Sequence, residues 1–274
     1  MIDAGYHGSG GPLSVSTKSP LNRLATAFVS AAASAGHTVG DYNGEKCRVG
    51  HHQFTVRNGM RCSAASAYID PVRDARPNLT VRCDAHVARV VLEKADEADL
   101  PRAAGVELLL TTKKILVSCR KEVILCAGAV GTPHILLLSG VGPRNQLATH
   151  GIECIVDSPG VGQHMQDHLV AVMRFSPKEG QGKQDIGTVN ANKAEGPLTA
   201  LPNILRMWLG GRGMLTSSGY DASLFLRTKG STAKPGNGAP DLQLSIFVSG
   251  GDKAMLQGNF GLPLEGLETL NPKI

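Results

Sequence analysis

Lys121-Glu122-Val123-Ile124-Leu125-Cys126-Ala127-Gly128-Ala129-Val130-Gly131-Thr132-Pro133-His134-Ile135-Leu136-Leu137-Leu138-Ser139-Gly140-Val141-Gly142 joins three local signals in one run. Val123 to Cys126 is continuously apolar, as expected of a strand buried on both faces. Small residues follow and let the backbone approach another group closely. Thr132 suits an N-cap, Pro133 the first helical position, Ile135 to Leu138 a packed face, and Gly140 a helix stop. The expectation is a buried strand, a small-residue turn and a helix. A helix N-terminus beside such a turn offers N–H groups and a positive dipole end to a phosphate-bearing ligand. Units of this kind also serve purely as packing elements, so the pattern alone does not assign a function.

Gly128 to Gly142 resembles the second sequence signature of the glucose-methanol-choline (GMC) oxidoreductases at every constrained position. Further segments resemble the same family in the same order. They are His7-Gly8 with Gly11-Pro12-Leu13, Arg61 with Ser63 and Ala67-Tyr68, Arg76 to Val81, and Pro159-Gly160-Val161-Gly162 with Gln166-Asp167-His168. The likeness runs over about residues 7 to 250. It implies FAD as cofactor and alcohols as substrates. It also implies contacts to FAD from Val87, through its backbone N–H and C=O near the adenine end, and from Ala127 and Gly128 at the turn. The usual Asn-Leu before Gln-Asp-His is replaced by His164-Met165, which removes any flavin contact from an Asn side chain there. Asp167 and His168 are read as architectural.

Composition sets outer limits. The 274 residues are 42% hydrophobic and only 4% aromatic, with 33 Gly and 15 Pro, a balance of turns and loops and not of a helical bundle. No apolar window is long enough to span a membrane. The net charge of +5 comes from dispersed Lys and Arg, so a solvated face is expected and a nucleic-acid partner is not. The six cysteines show neither Cys-x-x-Cys nor a zinc-like spacing, so no metal site is assigned. They are read as free thiols, which favours a reducing compartment, and no signal or transit peptide is visible. Asn78-Leu79-Thr80 is a formal glycosylation triplet of little weight in that setting.

Elsewhere the chain reads as alternating packing elements and loops. Pro20 to Ala35 is an amphipathic helix, with Leu21, Leu24, Ala25, Phe28 and Ala32 on its apolar side. The opening Gly-rich segment fails the Gly-x-Gly-x-x-Gly pattern because Leu13 stands at the third glycine. His51 and His52 are adjacent, so their side chains diverge and a shared acid–base role is not assigned. Ser63 to Ile69 reads as a short helix. Leu79–Val81, Val87–Leu92, Val106–Leu110 and Ile115–Val117 read as a four-run β-meander feeding the buried strand. A strand is expected at Ile152–Val156, a loop or lid over Lys178–Gly196, and a helix over Leu201–Leu209 in which Trp208 is a packing anchor. Ala222–Leu226 and Asp241–Val248 alternate as strands.

These readings combine into a mixed α/β chain. Residues 1–170 form part of an FAD-binding, Rossmann-like domain with a β-meander. Residues 171–274 begin an antiparallel-sheet substrate domain. In the family, a histidine near the C-terminus removes the hydroxyl proton while hydride passes to flavin. The sequence shows neither that segment nor the Gly-x-Gly-x-x-Gly unit, so no catalytic residue is assigned. The expectation is the central part of an FAD-binding oxidoreductase acting on CH–OH donors, inactive by itself and prone to aggregate or to need a homologous partner chain. A non-catalytic truncated paralogue acting as an interaction protein is the alternative. A nicotinamide-dependent Rossmann dehydrogenase is disfavoured because the dinucleotide fingerprint is absent and a long meander precedes the apolar run.

Overall fold

The computed structural model describes residues 5–17, 21–44, 47–93, 100–110, 113–173, 205, 209, 219–230 and 238–247. The chain divides into two units, Met1–Asn78 with Met173–Ile274, and Leu79–Val172.

The first unit opens with β1 (Ser16–Thr17) and α1 (Arg23–Ser34), followed by β2 (Val49–His51), β3 (Gln53–Phe54), β4 (Val56–Arg57) and β5 (Met60–Arg61). Asn22 caps α1, its side-chain oxygen accepting from Leu24 N–H at 2.8 Å. Ala25, Val29 and Ala32 recur at four and three along one face and are the residues the helix buries. That face lies against β2 and β11 (Tyr220–Leu226), and Val49, Ala222 and Leu224 complete the core. The sheet order is β12–β11–β2, with β12 (Leu242–Phe247) and β2 both antiparallel to β11. Ser223 stands opposite Gly50 on one side and Ser245 on the other. Residues 49–51 therefore share a sheet with residues 220–226 and 242–247, a pairing that crosses the expected boundary at 170. Two short antiparallel pairs follow, β1 with β3 across the intervening α1 and β2, and the hairpin β4 with β5. The second turns through Asn58 (φ 52°) and Gly59 (φ 75°), the residue pair that a two-residue hairpin with positive φ favours. A single π-helical turn at Ala65–Ile69 stands where the short helix was expected.

The second unit is built on the meander β6 (His86–Glu93), β7 (Arg102–Leu110) and β8 (Lys113–Ser118), in that order and antiparallel throughout. Three strands form it and not four. Leu79–Val81 is irregular and exposed, so its β-branched and apolar residues alone did not make a strand without a neighbour to pair with. Then come α2 (Gly128–Leu138), β9 (Val141–Gly142), α3 (Arg144–Thr149) and β10 (Val156–Asp157), the last pairing parallel with β9. The strand expected at Ile152–Val156 is thus reduced to its final residue and the one beyond.

The largest correction concerns Val123–Cys126. It forms no ladder with any described strand, and Ile124 is 73% exposed. An apolar run signals a need for burial, but a strand exists only where another strand accepts its backbone groups. The expected lid over Lys178–Gly196 lies outside the described residues, as do Trp208 and nearly all of Leu201–Leu209.

Candidate functional site

Helix α2 begins five residues earlier than expected, at Gly128 and not at Pro133. Thr132 lies inside it, and its hydroxyl reaches back to accept the Ala127 N–H at 3.1 Å instead of capping forward. Pro133 is accordingly an interior residue. The turn into the helix is made at Gly128, whose φ of +82° is a conformation that residues with a Cβ rarely adopt. No atom lies within 4 Å of where a Cβ on Gly128 would stand. Residues 127–130 are exposed, so the first-turn N–H groups, which have no carbonyl partner within a helix, face open space. At Gly131 a Cβ would stand 3.0 Å from that of Ala127, which keeps this first turn narrow.

The other end of α2 is tied to the meander. Ser139 is 4% exposed; its hydroxyl donates to Ile135 C=O at 2.6 Å and accepts the Val90 N–H at 2.8 Å. Gly140 follows with φ +78°, and a Cβ there would meet Glu153 C=O at 2.5 Å. The helix is thereby fixed along β6, the strand that carries Val87. Val87 is half-buried, pairs with Leu108, and sits at a register shift, since the next pair is Arg89 with Glu107. Ala88 is the extra residue of this bulge, a feature that re-aims a strand's side chains and is common beside binding sites. The structure thus places Ala127 and Gly128 at the N-terminus of α2, and Val87 on the strand that α2 packs against. The sequence had not singled out Ser139, although a small hydroxyl residue directly before a helix-stopping glycine was its visible signal.

A second polar group lies in the first unit. His52 Nε2 is 2.6 Å from Ser223 Oγ, which is 2.6 Å from Ser245 Oγ; Gln243 Nε2 donates to Ser245 Oγ at 3.1 Å and, more distantly, to Ser223 Oγ at 3.5 Å. Ser223 is fully buried. Tyr42 stacks on Phe225 at 5.3 Å and lies 5.7 Å from the His52 ring. Burial pushes His52 below the ordinary imidazole range, against a hydrogen bond to the Tyr220 backbone and the nearby Asp221, with His51 adding to the depression. His51 is also lowered, mainly by burial, and its Nδ1 is buried without a hydrogen-bond partner among the described residues. The two imidazoles make separate contacts, as their adjacency implied. Alternation along β11 and β12 put Ser223, Gln243 and Ser245 on one face, but the register that joins them to His52 was not readable from the chain. His164 and His168 are exposed, and His168 N–H donates to the Asp167 carboxylate at 2.8 Å. The described residues hold no cluster of His, Cys, Asp or Glu suited to a metal ion, and none of their helices is long and apolar enough to cross a membrane.

Solved structures that share this mixed α/β fold are those of oxidases. The formate oxidase crystal structure covers 93% of this chain and 45% of its own, at 25% identity and a TM-score of 0.70. A pyridoxine 4-oxidase from Mesorbium loti covers 57% of this chain and 30% of its own, at 31% identity and a TM-score of 0.51. The chain belongs to the GMC oxidoreductase family, whose sequence profile matches residues 3–170. It is 42% identical over 167 residues to the oxygen-dependent choline dehydrogenase of Brucella anthropi, a match covering 60% of this chain and 29% of that one. The Burkholderia pseudomallei enzyme of the same name matches at 33% identity over 267 residues, 92% of this chain and 43% of its own. The chain thus spans less than half the length of these relatives.

Proposed function

We propose that this chain supplies the FAD-contacting middle of an oxidoreductase that acts on the CH–OH group of a small alcohol of the choline type. The observation that carries the reading is the family match over residues 3–170, and the choline dehydrogenase relatives supply the substrate class. The local chemistry is compatible with the cofactor. Gly128 leaves open space on its Cβ side, and the first-turn amides of α2 are exposed for an anionic or carbonyl oxygen. In this reading Ala127 and Gly128 contact the cofactor at the turn and Val87 offers its backbone near the adenine end. Bound FAD supplies the hydride acceptor for the carbinol carbon.

The chain alone is not expected to turn over an alcohol, because none of its nine histidines is assigned the proton-abstracting role. The test is the visible spectrum of the purified chain before and after addition of FAD. Flavin bands that survive desalting, and are lost in Gly128→Val, support the reading. No retained flavin, with or without added FAD, favours the non-catalytic paralogue that acts as an interaction protein on a homologous chain.

A further inference from the structure

We propose that β8 is a docking edge for an extended segment of a partner protein, one with a β-branched apolar centre and Asp or Glu near both ends, which joins the meander as a fourth strand.

β8 lies at one end of the order β6–β7–β8, and its register with β7 runs unshifted from Lys113 to Ser118. Ser118 stands opposite Gly105, and just beyond it the Cys119 N–H donates to Ala104 C=O at 2.8 Å. Hydrogen-bonded pairs alternate along an antiparallel ladder, so Val117, Ile115 and Lys113 also bond to β7. Ser118, Leu116 and Lys114 then turn their N–H and C=O groups away from β7, and no described strand pairs with that side. Such a row is a template for another strand. Edges are commonly blunted by a bulge, a proline or an inward-pointing charge. β8 has neither bulge nor proline, and its lysines stand at one end, leaving Leu116, 59% exposed, at the centre.

Charge selects the occupant. Lys113, Lys114, Arg120 and Lys121 are all exposed, and Glu122 is the single acidic residue from 113 to 122. Glu107 on β7 offsets little of this, because Lys114 at 3.2 Å and Arg89 at 3.4 Å share it. A second copy of the chain fits poorly. Antiparallel pairing centred on Leu116 would set Lys114 opposite Ser118 of that copy and Lys113 opposite its Cys119, bringing the lysines beside the copy's Arg120 and Lys121 at each end. Like charges so placed oppose pairing. A strand with carboxylates near both ends meets the same basic residues favourably, while its apolar centre covers the exposed Leu116 or Val117. β7 separates this edge from β6 and Val87, so a docked strand and FAD need not compete.

The probe is the peptide acetyl-Glu-Asp-Val-Thr-Val-Asp-Glu-amide, with acetyl-Lys-Lys-Val-Thr-Val-Lys-Lys-amide as its control. Each is added to the full chain and followed by fluorescence anisotropy of the labelled peptide and by amide hydrogen exchange. The acidic peptide should bind about tenfold more tightly than the basic one and slow exchange at Lys114, Leu116 and Ser118. Lys113→Glu combined with Lys121→Glu should reverse the preference, and since both side chains are exposed the fold should be kept. Leu116→Pro removes an outward donor without removing a bond to β7, and it should abolish binding of the acidic peptide. No binding of the acidic peptide, equal binding of the two peptides, or a preference unmoved by the charge reversal would overturn the proposal. Slow exchange at Lys114, Leu116 and Ser118 before any peptide is added would also overturn it, because the edge would then be covered by this chain or a second copy. So would slowing confined to Val123–Cys126, which would place the peptide on the unladdered run.

Discussion

Ser139 holds both ends of a contact that no other described side chain could replace without loss. Its hydroxyl satisfies the Val90 N–H, which is part of the meander, while spending its own hydrogen on the last turn of α2. Ser139→Ala leaves a buried N–H without its partner, and the expected cost is roughly 1–3 kcal/mol in urea unfolding, with the far-ultraviolet spectrum unchanged. A midpoint equal to that of the unaltered chain would show that water replaces the hydroxyl. The histidines give a second residue-scale prediction. Burial lowers both His51 and His52 in the folded state, so the unfolded chain binds more protons as the pH falls through the ordinary imidazole value of 6.5. The stability they help maintain is fully present above that value and is lost as pH falls through their lower folded values. Melting temperature should therefore rise from about pH 5 to about pH 7.5, where few other groups titrate. A His51→Gln, His52→Gln double variant should flatten that slope, and an unchanged slope would place its origin elsewhere. The presence of two histidines was plain in the sequence. Their depressed protonation was not, because it depends on burial beneath residues some 170 positions away.

Elements were legible where a local pattern sufficed. Helix α1 followed from the spacing of Leu21, Leu24, Ala25, Phe28 and Ala32, although the face it buries is Ala25, Val29 and Ala32 and its Asn22 cap was not singled out. The last three runs of the meander and the two late strands followed from short β-rich segments between turn signals. Where an element's existence depended on a distant partner, the sequence misled. Val123–Cys126 has the composition of a buried strand but no described ladder, and β2 was not foreseen because its three residues acquire strand geometry only by pairing with β11. The start of α2 was misplaced for a different reason. Thr132 and Pro133 are good helix openers, but the small residues before them also accept helical geometry, and Gly128 makes the turn. Two glycines of this element should respond differently to the same substitution. Gly128→Ala meets open space, so its cost is the left-handed backbone alone, roughly 1–2 kcal/mol. Gly140→Ala adds a clash with the Glu153 carbonyl to the same backbone penalty, and it should be the more damaging by chemical denaturation. Equal losses at the two sites would mean that the Glu153 loop yields freely.

At the scale of the whole molecule, the described residues leave much apolar surface in water. Ile124 is 73% exposed, Val130 68%, Met165 70%, Leu169 102% and Met173 69%, and α2 buries none of its side chains. Single exposed apolar residues are ordinary, but Ile124 and Val130 lie just before and within a helix that buries none of its side chains, and apolar surface concentrated in this way marks an interaction surface or an aggregation liability. The backbone strengthens the case, because the unladdered Val123–Cys126 segment can accept a strand from another polypeptide. The purified chain should therefore bind a hydrophobic dye strongly and sediment with a weight-average mass that rises with concentration. Ile124→Lys combined with Val130→Lys should reduce both effects without altering the circular dichroism, since neither side chain supports the core. Restoration of monomeric behaviour by those two substitutions would locate the association on the stretch that leads into α2. A chain that is monomeric and weakly dye-binding from the outset would show instead that residues beyond those described here cover this surface, and the same double substitution would then destabilise the fold.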